Sequence, residues 1–152
     1  MKIQFTKLSD SEHKVAIYRT DGSQESRTLN SRSFLFHDLA HLVVESELPL
    51  KQAFWGSVAS GAALDSSDCA GPDLDLAETL AGPIQVLIKR EADMSAYTDV
   101  LNRVLDSTED VETLSKSVYA YARHLRGLWR ATNYGNTMEV TWQYKTPNFL
   151  GH

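Results

Sequence analysis

The chain has 152 residues, 42% of them hydrophobic and 23% charged, and this length and composition predict one globular domain over residues 1–152. Its formal net charge of −5 excludes nucleic acid as the default partner, and no stretch approaches the ~18 apolar residues of a membrane span. The single cysteine, Cys69, cannot form an internal disulfide, and the N-terminus lacks the residue order of a signal peptide, so we expect a soluble, cytoplasmic protein.

Three strands are predicted near the N-terminus, at residues 2–8, 13–20 and 23–29. In the first strand Ile3 and Phe5 alternate with polar residues, and the second is rich in β-branched and aromatic residues. Asp21-Gly22 joins the second strand to the third and is typical of a type I′ hairpin turn, whose central residues need positive φ. The third strand is polar, so we expect it at an edge of the sheet.

Five helices are predicted after residue 30, where apolar residues begin to recur at steps of three and four. They span residues 33–48, 50–59, 74–90, 95–106 and 108–131, and a mobile loop is expected at 60–73. The first helix should stop at Pro49, because proline disfavours helical backbone in the residue before it. Gly82-Pro83 leaves three alternatives open for the third helix: a kink, a break into two elements, or a strand over 84–88.

The predicted helix over 108–131 shows the clearest pattern in the chain. Ser107 or Thr108 is a candidate N-cap, acidic residues fill the first turn and arginines the last, and this order of charge suits the helix dipole. Because its apolar residues recur so regularly, we expect it to be the central buried helix.

A last strand is predicted at residues 137–145. Its apolar residues Met138, Val140, Trp142 and Tyr144 alternate with polar ones, so one face should pack on the helices. We therefore expect an α+β fold, in which a small antiparallel sheet of three N-terminal strands plus the C-terminal strand packs against four to six helices.

Two histidines in the first predicted helix form the candidate functional site. His37 and His41 are four residues apart, which places their side chains one helical turn apart, with Cβ atoms about 6 Å from each other. Such a pair can bind one divalent ion, zinc or another metal, through ring nitrogens. Asp38 follows the first histidine as the acid does in the H-E-x-x-H arrangement, so it is a candidate catalytic residue.

This ligand set needs a third donor. Glu45 lies about 12 Å along a straight helix from His37, at ~1.5 Å rise per residue, so the two cannot easily share an ion. We expect Glu45 to be a partner of His41, or to bind an ion with His41 alone, and it is the second candidate catalytic residue. His124 is the favoured third metal ligand, and His13 is the less favoured one.

The helical wheel places this polar set opposite the centre of the apolar arc of the same helix. His37, Asp38, His41 and Glu45 should therefore face solvent or a cleft. An ordinary solvated helix face is the alternative, in which Asp38 suits the start of the helix and Glu45 simply pairs with His41.

The segment from Phe36 to Leu48, with Phe54-Trp55-Gly56 behind it, resembles a set of uncharacterised bacterial proteins. These carry a similar H-D-L-x-H-x-x-V-E helix after an N-terminal hairpin. In that pattern a proline precedes the first histidine, where this chain has Phe36. The resemblance covers about the first third of the chain. It implies a bacterial protein and carries no activity over.

Arginines on one side of the last long helix are candidates for anion binding. Arg123, Arg126 and Arg130, with Lys116 nearby, could hold a phosphate or another acidic group. The alternative is a solvated basic face that complements the helix dipole.

Two functions follow from these patterns. The first is a divalent-metal-binding protein with metal-dependent hydrolase activity, in which His37, His41 and His124 bind the ion and Asp38 or Glu45 polarises water or orients an imidazole. The second is a non-catalytic protein-interaction module, with a homodimer as one alternative. In this function the polar face of the first helix is merely solvated. Neither identifies a small-molecule ligand, and the sequence does not decide whether the chain is an enzyme.

Overall fold

Four antiparallel strands and five α-helices form the part of the chain that the computed structural model describes, residues 1–48, 50–65, 69, 71–90, 95–105 and 110–143. The strands are Lys2–Lys7 (β1), Glu12–Tyr18 (β2), Gln24–Asn30 (β3) and Thr137–Thr141 (β4). They lie in the order β3-β2-β1-β4, so the C-terminal strand completes the N-terminal meander. The predicted α+β fold is confirmed.

One face of the sheet is buried and forms one side of the hydrophobic core. Phe5 of β1 lies opposite Val15 of β2 and Met138 of β4, and all three side chains are buried. The third strand is mostly exposed and, among the described strands, pairs with β2 alone, as its polar sequence predicts for an edge. The turn between β2 and β3 is a three-residue loop, residues 20–22, because Arg19 N–H donates to Ser23 O and Gly22 N–H donates to Arg19 O. This corrects the predicted two-residue type I′ turn, although Gly22 does have a φ of 90°, a conformation that favours glycine.

The helices cover the buried face. A π-helical turn at Ser31–Leu35, capped by the side chain of Asn30, leads directly into α1. The α-helices are Phe36–Glu47 (α1), Phe54–Ala59 (α2), Leu74–Lys89 (α3), Ser95–Val104 (α4) and Val111–Ala131 (α5). Across the described residues, no helix is both long enough and apolar enough to cross a membrane.

The central helix is α1, which corrects the expectation that the last helix takes this position. Every residue of α1 from 38 to 46 is buried, because the helix packs against both α3 and α5. The last helix, α5, buries one face only, through Ser115, Val118, Ala122, Leu125 and Trp129. Regular apolar spacing marks a helix with one buried side, whereas a helix enclosed by others is buried all round.

The third helix runs without interruption through Pro83, so neither a strand over 84–88 nor a break into two elements occurs. Leu80, Ile84 and Leu87 lie on one face of α3 and are buried. This apolar face holds the helix in place although the proline ring removes one backbone N–H from the hydrogen-bond ladder.

Some predicted boundaries lie outside the described residues. These are the helix stop at Pro49, the candidate caps Ser107 and Thr108, part of the 60–73 loop, and residues 144–145 of the last predicted strand. The described part of that strand ends at Thr141, earlier than predicted. As described, α5 is capped by Asp110, whose side chain accepts a hydrogen bond from the backbone N–H of Thr113. The second helix begins at Phe54, four residues later than predicted.

His13 lies on the inner face of β2 and is completely buried. Its ring lies between Phe5 and Trp129, 6.4 Å from each ring centroid, and its Nδ1 is 3.0 Å from the hydroxyl of Ser31. Burial lowers the pKa of His13 to about 4, because the charged imidazolium loses its hydration there.

This shift predicts a loss of stability in mild acid. The unfolded chain binds the His13 proton near its ordinary pKa and the folded chain does not, so the free energy of unfolding falls between pH about 6.5 and about 4. From pH 7 to pH 5 the histidine should account for a loss of about 2 kcal/mol in urea unfolding. His13→Phe, which keeps an aromatic ring, should remove this part of the pH dependence.

His124→Gln is the matched control, because His124 is an exposed histidine on α5. It should keep the pH dependence of the wild type. An unchanged slope in His13→Phe would contradict the assignment.

Candidate metal centre

The two histidines of α1 meet over α3. His37 and His41 are one helical turn apart, and their ring centroids are 4.6 Å apart with the planes tilted by 52°. Glu78 of α3 reaches both rings, since α1 and α3 pack against each other along this side. The pair that the sequence singles out therefore does point into a shared space.

Only the Nδ1 side of the His41 ring forms a hydrogen bond. Its Nδ1 is 2.9 Å from Oε2 of Glu45, which lies one turn further along α1. Its Nε2 is buried and makes no hydrogen bond, although Oε1 of Glu78 lies 3.1 Å away. Because the Glu45 carboxylate is an acceptor, Nδ1 carries the proton in the neutral ring and Nε2 presents a lone pair.

His37 repeats this arrangement at the rim of the site. Its Nδ1 is 3.5 Å from Oδ1 of Asp38, and its Nε2 is 3.4 Å from Oε2 of Glu78. In both rings, then, Nδ1 faces a carboxylate of α1 and Nε2 faces Glu78. A carboxylate behind a histidine is the usual way in which proteins orient a metal-ligating imidazole.

The separations match those of atoms around one ion. His37, His41 and Glu78 each offer a ligand atom, and these three atoms lie within 4.8 Å of one another. Two ligands that are each about 2.1 Å from an ion at the tetrahedral angle are about 3.4 Å apart. Nε2 of His41 lies 3.1 Å from Oε1 of Glu78 and Nε2 of His37 lies 3.4 Å from Oε2, so each oxygen of this carboxylate is about that distance from one histidine nitrogen. The cluster could therefore hold a metal ion.

Besides its contact with His41, Glu45 binds the backbone at the start of α2. Its side chain is completely buried and accepts hydrogen bonds from the backbone N–H groups of Phe54 (3.1 Å), Trp55 (2.8 Å) and Gly56 (3.4 Å). These groups form the start of α2, where the helix dipole is positive. The carboxylate thereby explains why α2 begins at Phe54.

Glycine is required next to this contact. A Cβ atom on Gly56 would overlap the backbone carbonyl of Lys51, so only glycine allows the chain to turn so tightly in front of Glu45. The indole of Trp55 adds a further bond by donating to the carbonyl oxygen of Asp38, at 2.9 Å.

Most of the polar stripe of α1 is buried, which corrects the expectation of a solvent-facing stripe, whereas the expected cleft is present for His37 and Asp38, which line a cavity. Asp38, His41 and Glu45 are all buried, and only His37 stays partly exposed, with 39% of its side-chain surface accessible. The wheel correctly separates the stripe from the apolar arc. It cannot show that α2 and α3 cover the stripe.

The pKa values of Asp38 and His37 are both raised, for different reasons. Burial raises the pKa of Asp38 above its usual range, and contact with His37 and His41 opposes this rise. The pKa of His37 is raised, mainly because Asp38 stabilises the charged ring, while burial opposes this rise.

A cavity of about 450 Å³ opens beside the cluster. His37, Asp38 and Glu78 line its polar end. Most of the remaining wall is apolar and is formed by Leu29, Phe34, Phe54, Leu64 and Leu74. A pocket of this size, apolar with a few polar groups at one end, is typical of small-molecule sites.

Two other histidines considered as ligands lie elsewhere. His124 is exposed on α5, where its ring stacks on Tyr121, and it does not belong to the cluster. His13 is enclosed in the core between the sheet and α5. Of the three arginines proposed for anion binding, Arg126 and Arg130 line a groove beside Trp129, and Arg123 lies over the ring of Tyr119 instead.

Glu78 is the member of the cluster that the sequence does not reveal. It is one acidic residue in the first half of an amphipathic helix, a position where a solvated glutamate is common. Only the packing of α3 against α1 brings it to the histidines.

Comparison of the chain with protein-family models, with curated proteins and with solved structures finds no match.

Removing the charge of Glu45 should destabilise the fold. In Glu45→Gln, an amide of the same shape would place a donor against N–H groups that need an acceptor, and we expect the free energy of unfolding to fall by about 3 kcal/mol. Glu112→Gln, in an exposed pair with Lys116, should leave it unchanged. Urea denaturation compares the two variants, and equal stability would contradict this role of Glu45.

Proposed function

We propose that this protein binds one divalent metal ion through Nε2 of His37, Nε2 of His41 and the carboxylate of Glu78. The observation that carries the proposal is the buried Nε2 of His41, which has no hydrogen bond and lies 3.1 Å from Glu78. With the proton on Nδ1, this nitrogen directs a lone pair at a carboxylate oxygen with no hydrogen bond between them, which is costly in a buried site. An ion at this point would satisfy it.

Two further carboxylates support the ligands from behind. Glu45 holds the ring of His41 and Asp38 that of His37, each on the Nδ1 side. In this proposal both acids orient the imidazoles, which is one of the two roles expected for them from the sequence. The ion itself is best satisfied by zinc, which favours histidine nitrogens and a carboxylate oxygen.

We further propose that the bound ion supports metal-dependent hydrolysis. Three protein ligands leave at least one coordination position open, as in catalytic zinc sites. The ion would supply Lewis-acid chemistry there, by activating water and polarising a carbonyl group. The cavity beside the cluster would bind the substrate. Its largely apolar wall favours a substrate with an apolar part, such as an uncharged ester or amide.

Zinc titration of untagged protein by calorimetry tests the metal site. We expect one ion per chain, and a loss of affinity of at least about tenfold in His37→Gln and in Glu78→Gln. Both side chains are partly exposed, so these variants should stay folded. The matched control, His124→Gln, removes a histidine outside the cluster and should bind zinc like the wild type.

Absence of stoichiometric zinc, nickel or iron binding would overturn the metal proposal. That result would leave the non-catalytic interaction module as the remaining function. Equal losses of affinity in His37→Gln and His124→Gln would place the ion elsewhere.

Hydrolysis is tested separately with zinc-loaded protein and a panel of uncharged esters and amides. We expect turnover that disappears on chelation, returns when zinc is restored and is lost in Glu78→Gln. Turnover no faster than that of free zinc, by a protein that binds one ion, would reject the hydrolase and leave the metal site standing.

A further inference from the structure

A second concave region lies between the start of α1 and the end of α5. It consists of two adjoining cavities of about 340 Å³ and 320 Å³, which share Phe36, Trp129 and Arg130 in their walls. We call the two together the basic groove. None of its wall residues lines the cavity beside the metal cluster.

Positive side chains dominate this groove. The first cavity is lined by Lys7 and Arg32, the second by Lys89 and Arg126, and Arg130 belongs to both. The carboxylate of Asp10 is the negative group among the wall residues that the structure describes. Five positive charges against one are a strong local excess in a chain whose net charge is −5. A concave positive surface of this kind concentrates anions.

Some of these charges are held in place by the fold. The ammonium group of Lys7 donates a hydrogen bond to the carbonyl oxygen of Trp129 at 2.8 Å and lies 4.5 Å from the centre of its ring. Lys89 lies over the ring of Phe36, with Nζ 5.8 Å from the ring centre. Burial lowers the pKa of Lys7, which a bound anion would reverse.

The ion pairs of the described residues involve none of Lys7, Arg32, Lys89 and Arg130. Their charges are therefore available to an external anion. Arginine suits phosphate especially well, since its planar guanidinium can donate two parallel hydrogen bonds to phosphate oxygens.

We propose that the basic groove binds a small molecule that carries a diphosphate. One phosphoryl group would lie among Lys7, Arg32 and Arg130, and the other among Lys89, Arg126 and Arg130. Arg130 lines both cavities, so it would bridge the two groups. Phe36 also lines both cavities and offers an apolar surface to the organic part of the ligand.

The shape favours a small ligand over an acidic protein partner. Both cavities have volumes in the range of small-molecule sites, roughly 300–1,000 Å³, whereas protein interfaces are usually broad surfaces. The positive side chains line these two cavities.

Calorimetry with pyrophosphate and with inorganic phosphate tests the proposal. The protein is first treated with a chelator and dialysed, so that neither anion can bind through a metal ion. At physiological ionic strength we expect pyrophosphate to bind at least about tenfold more tightly than phosphate, because it engages both halves of the groove. Glu78→Gln should retain this binding, which separates the groove from the metal cluster.

Two variants divide the groove, and a third is the matched control. Lys89→Gln should weaken pyrophosphate at least about fivefold and leave phosphate nearly unchanged, because the half that contains Lys7 and Arg32 stays intact. Arg130→Gln should weaken both anions. Arg123→Gln removes the same charge from the same helix outside the groove and should change neither. Circular dichroism verifies that all three variants are folded.

Three results would overturn the inference. The first is the absence of saturable pyrophosphate binding. The second is an equal effect of Arg123→Gln and Lys89→Gln, which would show a response to net charge alone. The third is equally tight binding of succinate, which would make the groove a dicarboxylate site.

Discussion

The buried carboxylate of Glu45 is the group on which the rest of this site depends. A charged group inside a protein is unstable unless donors replace its lost water. Here the imidazole of His41 and three backbone N–H groups at the start of α2 do so. One side chain thus joins the central helix to the next element and fixes which nitrogen of His41 carries the proton. The fold and the chemistry of the site share one hydrogen-bond network.

The central helix α1 buries both apolar and polar residues, which usually have opposite effects on the stability of a fold. Its apolar residues fill the core above the sheet, and its polar stripe lies buried against α2 and α3. A buried polar stripe costs stability unless every group is satisfied. Glu45 is satisfied by donors and Asp38 contacts His37, but Nε2 of His41 makes no hydrogen bond. The arrangement is explained if a cation belongs to it.

Charge is distributed unevenly over the molecule, and each region favours a different kind of ligand. The cavity beside the cluster has carboxylates at its polar end, whereas the basic groove contains lysines and arginines from β1, the π-helical turn, α3 and α5. At the start of α1, neighbouring residues serve the two regions: Phe36 lines the groove and His37 lines the cavity. The two proposals therefore assign a metal ion and an anion to separate places on an acidic chain.

The sequence by itself determined the sheet, the approximate helices and the histidine pair, because these follow from spacing along one segment. Alternation of Ile3 and Phe5, the Asp21-Gly22 turn and the four-residue step between His37 and His41 are local signals. Only the tertiary structure decided that Glu78 joins the pair, that the stripe of α1 is buried and that α1 is central. These three features depend on which helices pack against each other. The residue pattern of a single helix does not identify its packing partners.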